Sequence, residues 1–245
     1  MNTIIPDFWK ILSFPQSSMV SKRISKKMFL ENDKINTDFK SLLNNIDCVY
    51  WQYVMRRKNT NLLAVKNSQE DFSELSVIEI RLKEKNRYKT IAENIHKIIP
   101  YHILLIFIFE ENISLSIATK RLNFSNKNEI VILDTYTTNL FDYKKERIDF
   151  VKSLNWNNYY PNNLKDLYLN WLDRLVSCQK EEISGVYEIE NHEKAYKEIK
   201  EYGIVQNKIA ELRNLIKSAD FNEQINLNIQ IKKLEKELAD IISKF

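Results

Sequence analysis

The sequence predicts a mixed α/β fold: a largely antiparallel sheet with flanking helices, followed by an antiparallel, coiled-coil-like helical hairpin. The pattern of apolar residues carries this prediction. Segments rich in β-branched and aromatic residues recur between residues 48 and 138, and residues 185–245 instead carry apolar stripes at three- and four-residue spacing. We therefore predict an α/β domain over residues 1–184 and a helical hairpin over residues 185–245.

The first predicted elements are a helix and two strands. The helix is expected over residues 32–46, with Asn32 or Asp33 as its N-cap. Its apolar residues recur at helical spacing: Ile35, Phe39, Leu42, Leu43 and Ile46. Strands follow at residues 48–55 and 75–82, where apolar residues on both faces are typical of a buried strand.

A second helix and three further strands complete the predicted sheet. Residues 87–99 carry a helical apolar stripe, which Pro100 ends because proline cannot continue a helix. Strands are expected at residues 102–110, 113–122 and 129–138. The turns between them are too short for crossovers, so we expect antiparallel pairing. A helix over residues 163–177 has a broad apolar face that we expect to dock on the sheet.

The predicted hairpin consists of two long amphipathic helices joined by a turn at residues 217–224. The first stripe comprises Ala195, Ile199, Tyr202, Val205, Ile209, Leu212 and Ile216, and the second comprises Leu227, Ile231, Leu234, Leu238, Ile241 and Phe245. These stripes could pack on each other, form a homodimer or dock a protein partner. Gly203 costs a helix about 1 kcal/mol relative to alanine, so we expect it to mark a kink or a close approach.

Composition excludes several classes of protein. The chain has two glycines, Gly185 and Gly203, which excludes the glycine-rich phosphate loops of nucleotide-binding folds. We expect no cofactor and no metal. Cys48 and Cys178 are too few for a disulfide framework, so we expect a reducing, cytoplasmic location. The longest apolar run is too short to cross a bilayer, and we expect no membrane association.

Several segments give the chain a resemblance to a known family. They read FPQSSMVSKRISKKMF, VYWQYVMRRKNTNL, LSVIEIRLK, IHKIIPYHILLIFIF, LSIATKR and, at the paired helices, NKIAELRNLIKSADFNEQINLNIQIKKLEKEL. The chain resembles the bacterial and archaeal domain of unknown function 4391, whose members usually have proline where this chain has Ser25. The resemblance implies a gene beside helicases and methyltransferases in restriction-like, anti-phage clusters, and it implies no established activity.

A basic patch is the main candidate binding site. Residues 188–245 contain 10 Lys and Arg against 11 Asp and Glu, so the net charge of +4 arises from the α/β domain. The candidate nucleic-acid-binding residues are Lys22, Arg23, Lys26, Lys27, Arg56, Arg57, Lys120 and Arg121. Trp9, Tyr88 and Tyr101 are candidate stacking residues. Trp51, Tyr53 and Trp171 are expected in the core.

A metal-dependent nuclease is the alternative interpretation. Such a site needs paired acids on adjacent strands and an acid-x-Lys triplet, and the candidates are Glu79, Asp134 and the triplet at residues 142–144. Asp142 is expected in a loop, and Glu79 is instead expected to pair with neighbours of Arg81 or with Lys120. The histidines lack ligand spacing, so we expect His96, His102 and His192 to be structural.

We therefore expect a non-catalytic accessory or adaptor subunit of a restriction-like defence system. Its expected partner is a helicase or methyltransferase, and DNA or RNA is expected to bind the basic face. The nuclease of the same system, with Glu79 and Asp134 as catalytic acids, remains the alternative.

Overall fold

The structure is a computed structural model that describes residues 6–30, 37–123, 130–158 and 160–245. Asn32, Asp33 and Ile35 of the first predicted helix lie outside the described residues. The chain divides into two compact units, Met1–Leu175 and Val176–Phe245. This division lies within a long helix, and the expected boundary at residue 184 stays a prediction.

Strands and short helices make up the first unit. Its strands are β1 (Met19–Ile24), β2 (Ile46–Arg56), β3 (Val65–Lys66), β4 (Asp71–Phe72), β5 (Glu74–Leu82), β6 (His102–Phe109), β7 (Asn112–Leu122), β8 (Ile130–Thr137) and β9 (Phe141–Asp142). Its helices are α1 (Pro6–Leu12), α2 (Lys27–Leu30), α3 (Thr37–Leu42), α4 (Arg57–Thr60), α5 (Tyr88–Ile98) and α6 (Ile148–Ser153). Helix α7 (Leu164–Ser184) begins in this unit and ends in the next.

Among the described residues, seven strands form one sheet in the order β1-β2-β5-β6-β7-β8, with β9 also paired to β7. Neighbouring strands are antiparallel except β5 and β6, which run parallel and are joined through α5. A parallel pair needs such a crossover, whereas the later strands return through short turns. The predicted mixed, largely antiparallel sheet is confirmed.

One face of the sheet packs against α5. This helix buries Ile91, Ala92 and Ile95 on its inward side. They contact residues that alternate along the strands: Val49, Ile78, Ile80, Leu82, Ile103, Leu105 and Phe107. Since burial of each large apolar side chain contributes about 1.5–3 kcal/mol, this cluster is a major source of stability for the first unit.

The opposite face packs against the first half of α7. The hydroxyl of buried Tyr168 donates to the carbonyl oxygen of Ala118 at 2.7 Å. The ring of Trp171 lies 5.7 Å from that of Phe14, which in turn lies 5.2 Å from the ring of Tyr53. The prediction that this helix docks on the sheet is confirmed, and Tyr53 and Trp171 belong to the core.

Two features near the start of the sheet differ from the prediction. Strand β1 was not predicted, because its side chains are mostly exposed and show no apolar alternation. The first helix is also shorter than expected, since α3 ends at Leu42 and Ile46 begins β2. Asn45 is the last residue of the 3₁₀ turn, Leu43–Asn45, that lies between these two elements. Its Nδ2 donates to the carbonyl oxygens of Glu84 and Asn86, which fixes the chain beside the end of β5.

The second unit contains α8 (His192–Ile216) and α9 (Phe221–Ile242), which pack together as the predicted helical hairpin. Its apolar contacts come from both stripes: Val205, Ile209, Leu212, Ile216, Ile231, Leu234, Leu238 and Ile241. Helix α9 begins inside the predicted turn, where Asp220 accepts a hydrogen bond from the backbone N–H of Glu223.

Gly203 lies within α8, and a Cβ added there would meet no atom within 4 Å in the described part of the chain apart from the adjoining backbone of its own helix. The expected close approach at this glycine is therefore not found among those residues. Within the same ranges, no helix combines the length and apolar character needed to span a membrane.

Candidate nucleic-acid interface

The basic stretch forms β1 and α2 at one edge of the sheet. The register of β1 against β2 shifts between Met19 and Lys22, and Ser21 has a left-handed φ of 49° within this bulge. Beyond it, Lys22 lies opposite Trp51 and Arg23 lies opposite Tyr50. Residues paired across two strands point to the same face, so Lys22 shares a face of the sheet with Trp51.

An apolar pocket of about 210 Å³, here called the aromatic pocket, lies beside β1. It is lined by Lys22, Arg23, Ile24, Ser25, Met28, Phe29, Trp51, Ile78, Ile98, Ile99 and Tyr101. The rings of Trp51 and Tyr101 are nearly parallel, with centroids 6.4 Å apart and an interplanar angle of 15°. The pocket thus combines planar aromatic walls with cations at the sheet edge.

A second pocket, here called the basic pocket, has a volume of about 490 Å³. It is lined by Arg23, Ile24, Ser25, Lys26, Lys27, Asp47 and Cys48, so it shares residues 23–25 with the aromatic pocket. Asp47 supplies a carboxylate, and burial raises the pKa of the Cys48 thiol. The two pockets lie side by side along one short segment of chain.

The four cations of this segment have different roles. Lys26 is half-buried, and its Nζ donates to the carbonyl oxygen of Ile46 at 2.7 Å, which ties the β1–α2 turn to the start of β2. Lys22, Arg23 and Lys27 are exposed. Within the described residues these three form no ion pair, so their charge is available to an anionic ligand.

Lys120 lies inside the protein instead of on its surface. Its Nζ donates to the carbonyl oxygens of Ile99 and Tyr101, both at 2.8 Å, and desolvation lowers the pKa of its amine to about 7. Ile99 and Tyr101 both line the aromatic pocket. Lys120 therefore anchors the turn that carries Tyr101 and does not extend the exposed cationic surface.

The profile of the domain of unknown function 4391 matches residues 12–238 of the chain. The chain belongs to this family. The match covers both the sheet and most of the helical hairpin. No curated protein and no solved structure matches the chain.

In this family member, the remaining predicted cations lie away from the two pockets. Arg56 Nε donates to Glu74 Oε2 at 2.8 Å, and Arg57 is exposed on α4 beyond the end of β2. Arg121 is half-buried on β7, which β2, β5 and β6 separate from β1. The structure brings Lys22, Arg23, Lys26 and Lys27 together and leaves the other predicted cations apart.

The aromatic candidates also separate into two groups. Tyr88 is buried and its hydroxyl donates to the carbonyl oxygen of Thr138 at 3.3 Å, while half-buried Trp9 packs on Tyr53. Tyr101 lines the aromatic pocket, as expected of a stacking residue. Trp51 was expected in the core; it packs against the core cluster and is half-buried, and it also forms part of the pocket wall. Its pairing opposite Lys22 is the feature that sequence reasoning missed, because β1 itself was not recognised.

The two candidate catalytic acids lie on separate strands and do not come together in this structure. Glu79 lies on β5 and Asp134 on β8, with β6 and β7 between them. Three strand spacings amount to about 14 Å, whereas metal–oxygen ligand distances are roughly 2.0–2.6 Å. Among the described residues there is no group of three or more His, Cys, Asp or Glu that could hold a metal ion.

Glu79 has a structural environment. Its side chain is fully buried, Oε2 accepts a hydrogen bond from Gln52 Nε2, and Oε1 accepts one from Arg81 Nε, each at 2.6 Å. Its ionic partner is Arg81 itself, which corrects the expected pairing with neighbours of Arg81 or with Lys120. Asp142 lies in β9, where the expectation was a loop, and it pairs with Lys145 at 2.9 Å.

Two of the histidines are buried in the first unit. His96 Nε2 lies 3.1 Å from Ser116 Oγ, and desolvation lowers the pKa of this imidazole well below its usual value. His102 stacks on Phe72 with ring centroids 3.9 Å apart, and desolvation lowers its pKa to about 3. Both rings are therefore neutral at physiological pH. His192 is the first residue of α8.

Proposed function

We propose that this member of the domain of unknown function 4391 is a non-catalytic adaptor subunit of a restriction-like defence system. It binds nucleic acid at the β1 edge of the sheet and a helicase or methyltransferase partner elsewhere. The observation that carries the nucleic-acid part is the grouping of exposed Lys22, Arg23 and Lys27, which form no ion pair with any residue that the structure describes, around two adjoining pockets. Phosphate groups bind such cations with release of counterions, so affinity falls as salt rises.

The proposed protein partner rests on the family's expected gene neighbourhood and on the helical hairpin. Helix α9 exposes Phe221, Ile225 and Ile229 at four-residue spacing, so they lie on one side of the helix. An exposed apolar row of this kind favours contact with another protein. Copurification from the native operon tests this part. The partner should be recovered with the wild-type chain and lost with the triple variant Phe221→Gln, Ile225→Gln, Ile229→Gln.

The nucleic-acid part is tested by binding to mixed-sequence DNA and RNA over a salt series. We expect the logarithm of the association constant to fall linearly with the logarithm of salt concentration. A response that does not change with salt would contradict ionic contact with phosphate groups.

The nuclease alternative is tested separately. An Asp134→Asn variant should keep full protection in a plaque assay of the intact gene cluster if the chain is an adaptor, whereas Glu79→Gln would also remove the anionic partner of Arg81 and so would test the fold as well as the chemistry. Loss of protection by the folded Asp134→Asn protein would support the nuclease, because this half-buried residue lies at the edge of the sheet, away from the buried Glu79 network.

A further inference from the structure

We propose that the aromatic pocket receives an unpaired nucleobase, so that the β1 edge prefers single-stranded nucleic acid over a duplex. This inference rests on the nucleic-acid part of the proposed function and specifies its ligand. The ligand chemistry is a planar heteroaromatic base joined to phosphate.

The walls of the aromatic pocket suit the face of a base. Trp51 and Tyr101 present nearly parallel rings, and the remaining wall is largely aliphatic, from Ile78, Ile98 and Ile99. Bases of every sequence stack on aromatic side chains, because each base has a π-face. A base paired within a duplex has both faces covered by its neighbours and cannot enter such a pocket without leaving the stack.

The cations are placed to hold the phosphates of the same nucleotide chain. Lys22 lies on the Trp51 face of β1, and Arg23 lines both pockets. Lys27 lines the basic pocket alone. A strand that passes over residues 23–25 can therefore place a base in the aromatic pocket and the next phosphate beside the basic pocket. An acidic peptide would use the same cations but would leave the aromatic walls unused.

Fluorescence anisotropy tests the inference with a labelled single-stranded oligonucleotide, the same sequence as a duplex, and a free mononucleotide as competitor. We expect the wild-type protein to bind the single strand at least tenfold more tightly than the duplex. Trp51→Leu should weaken single-strand binding by about 5- to 150-fold, the range for loss of one base–aromatic stack. The salt slope should stay unchanged, because no cation is removed.

Two further variants separate stacking from loss of fold. Trp51→Phe keeps an aromatic wall and should keep most of the single-strand affinity. Tyr160→Leu changes an aromatic residue that is 92% exposed and does not line the pocket, so it should bind like the wild type. Wild-type affinity in Trp51→Leu would overturn the inference.

The remaining outcomes distinguish this inference from the proposed function. Equal, salt-dependent binding of single strand and duplex would overturn the base pocket and leave the basic interface in place. Binding of the mononucleotide without the oligonucleotide would overturn both, as would binding of an acidic peptide with no binding of any nucleic acid.

Discussion

Lys120 Nζ donates a hydrogen bond to the carbonyl oxygen of Tyr101 at 2.8 Å, although Lys120 lies on β7 and Tyr101 lies in the turn before β6. Lys120, which the sequence suggested as a phosphate ligand, thus positions the aromatic residue Tyr101 from the interior of the protein. The contact connects the buried interior to the aromatic pocket, since Tyr101 forms part of its wall.

Replacement of Lys120 by methionine should weaken nucleic-acid binding without removal of a surface charge. The carbonyl oxygens of Ile99 and Tyr101 would lose their donor, and the turn that carries Tyr101 would be less well ordered. We expect a severalfold lower affinity for single-stranded DNA, measured by anisotropy, with an unchanged salt slope. Lys58→Met, which removes an exposed cation on α4, is the control. A slope lower by about 0.7 in Lys120→Met would instead indicate direct phosphate contact.

His102 should make the first unit sensitive to acid. Desolvation lowers the pKa of His102 to about 3 in the folded protein, against the ordinary value of 6.5 for an exposed histidine. Between these values the unfolded chain binds a proton that the folded chain does not, so stability falls as pH falls from 6.5 toward 3. His102→Phe should keep the stack on Phe72 and should lose less stability as the pH falls. Each pKa unit of difference between the folded and unfolded states corresponds to about 1.4 kcal/mol.

Urea unfolding of the wild type and His102→Phe at pH 7 and pH 5 measures this difference. At pH 5 we expect the variant to have the larger free energy of unfolding relative to its value at pH 7. Equal changes in the two proteins between these pH values would contradict a buried neutral imidazole.

The two glycines should respond oppositely to alanine. Gly203 lies within α8 with open space around its Cα, so Gly203→Ala should stabilise the protein by about 1 kcal/mol. Gly185 follows the end of α7 at a φ of +77°, and its N–H donates to the carbonyl oxygen of Glu181 at 2.8 Å. Gly185→Ala should destabilise by about 1 kcal/mol, because side chains are disfavoured at this φ. Thermal unfolding of both variants provides the measurement, and a lower melting temperature for Gly203→Ala would contradict the helix geometry.

Lys180 should contribute strongly to the stability of the second unit. It is 4% exposed, and its Nζ donates to Glu190 and, at 2.7 Å, to Glu198 Oε2. Lys180→Met would leave two partly buried carboxylates without this cation and should cost about 3 kcal/mol in urea unfolding. Lys194→Met is the matched control. Lys194 also pairs with Glu190, at 2.9 Å, but its side chain is 66% exposed, so the expected cost is under about 1 kcal/mol. Equal costs for the two variants would contradict the burial of Lys180.

The elements with strong periodicity were predictable from sequence. Helices α8 and α9 and the strands around α5 each bury one face. The spacing of apolar residues along the chain indicates that face, because the spacing depends only on the local type of secondary structure. Strand β1 was not predictable in this way. It lies at an edge of the sheet, Met19, Val20, Lys22 and Arg23 are exposed, and its register depends on a bulge and on pairing with β2.

The candidate site was only partly predictable for a related reason. Sequence grouped Lys22, Arg23, Lys26 and Lys27, because they are neighbours in the chain. It could not place Lys120 inside the protein, since its carbonyl partners come from a turn about 20 residues away, as the separations of 21 and 19 positions show. It likewise could not place Trp51 in a pocket wall, because that wall exists only when β1, β2 and the turn at Tyr101 come together.

The salt dependence of single-strand binding by a charge-neutralised variant tests the central claim most directly. The triple variant Lys22→Gln, Arg23→Gln, Lys27→Gln should lower the salt slope by about 2, since each phosphate contact with a single strand contributes about 0.7. The control triple variant Lys232→Gln, Lys233→Gln, Lys236→Gln removes the same charge from exposed positions of α9 and should keep the wild-type slope. An equal change of slope in both triple variants, or none in the first, would contradict a nucleic-acid interface at β1.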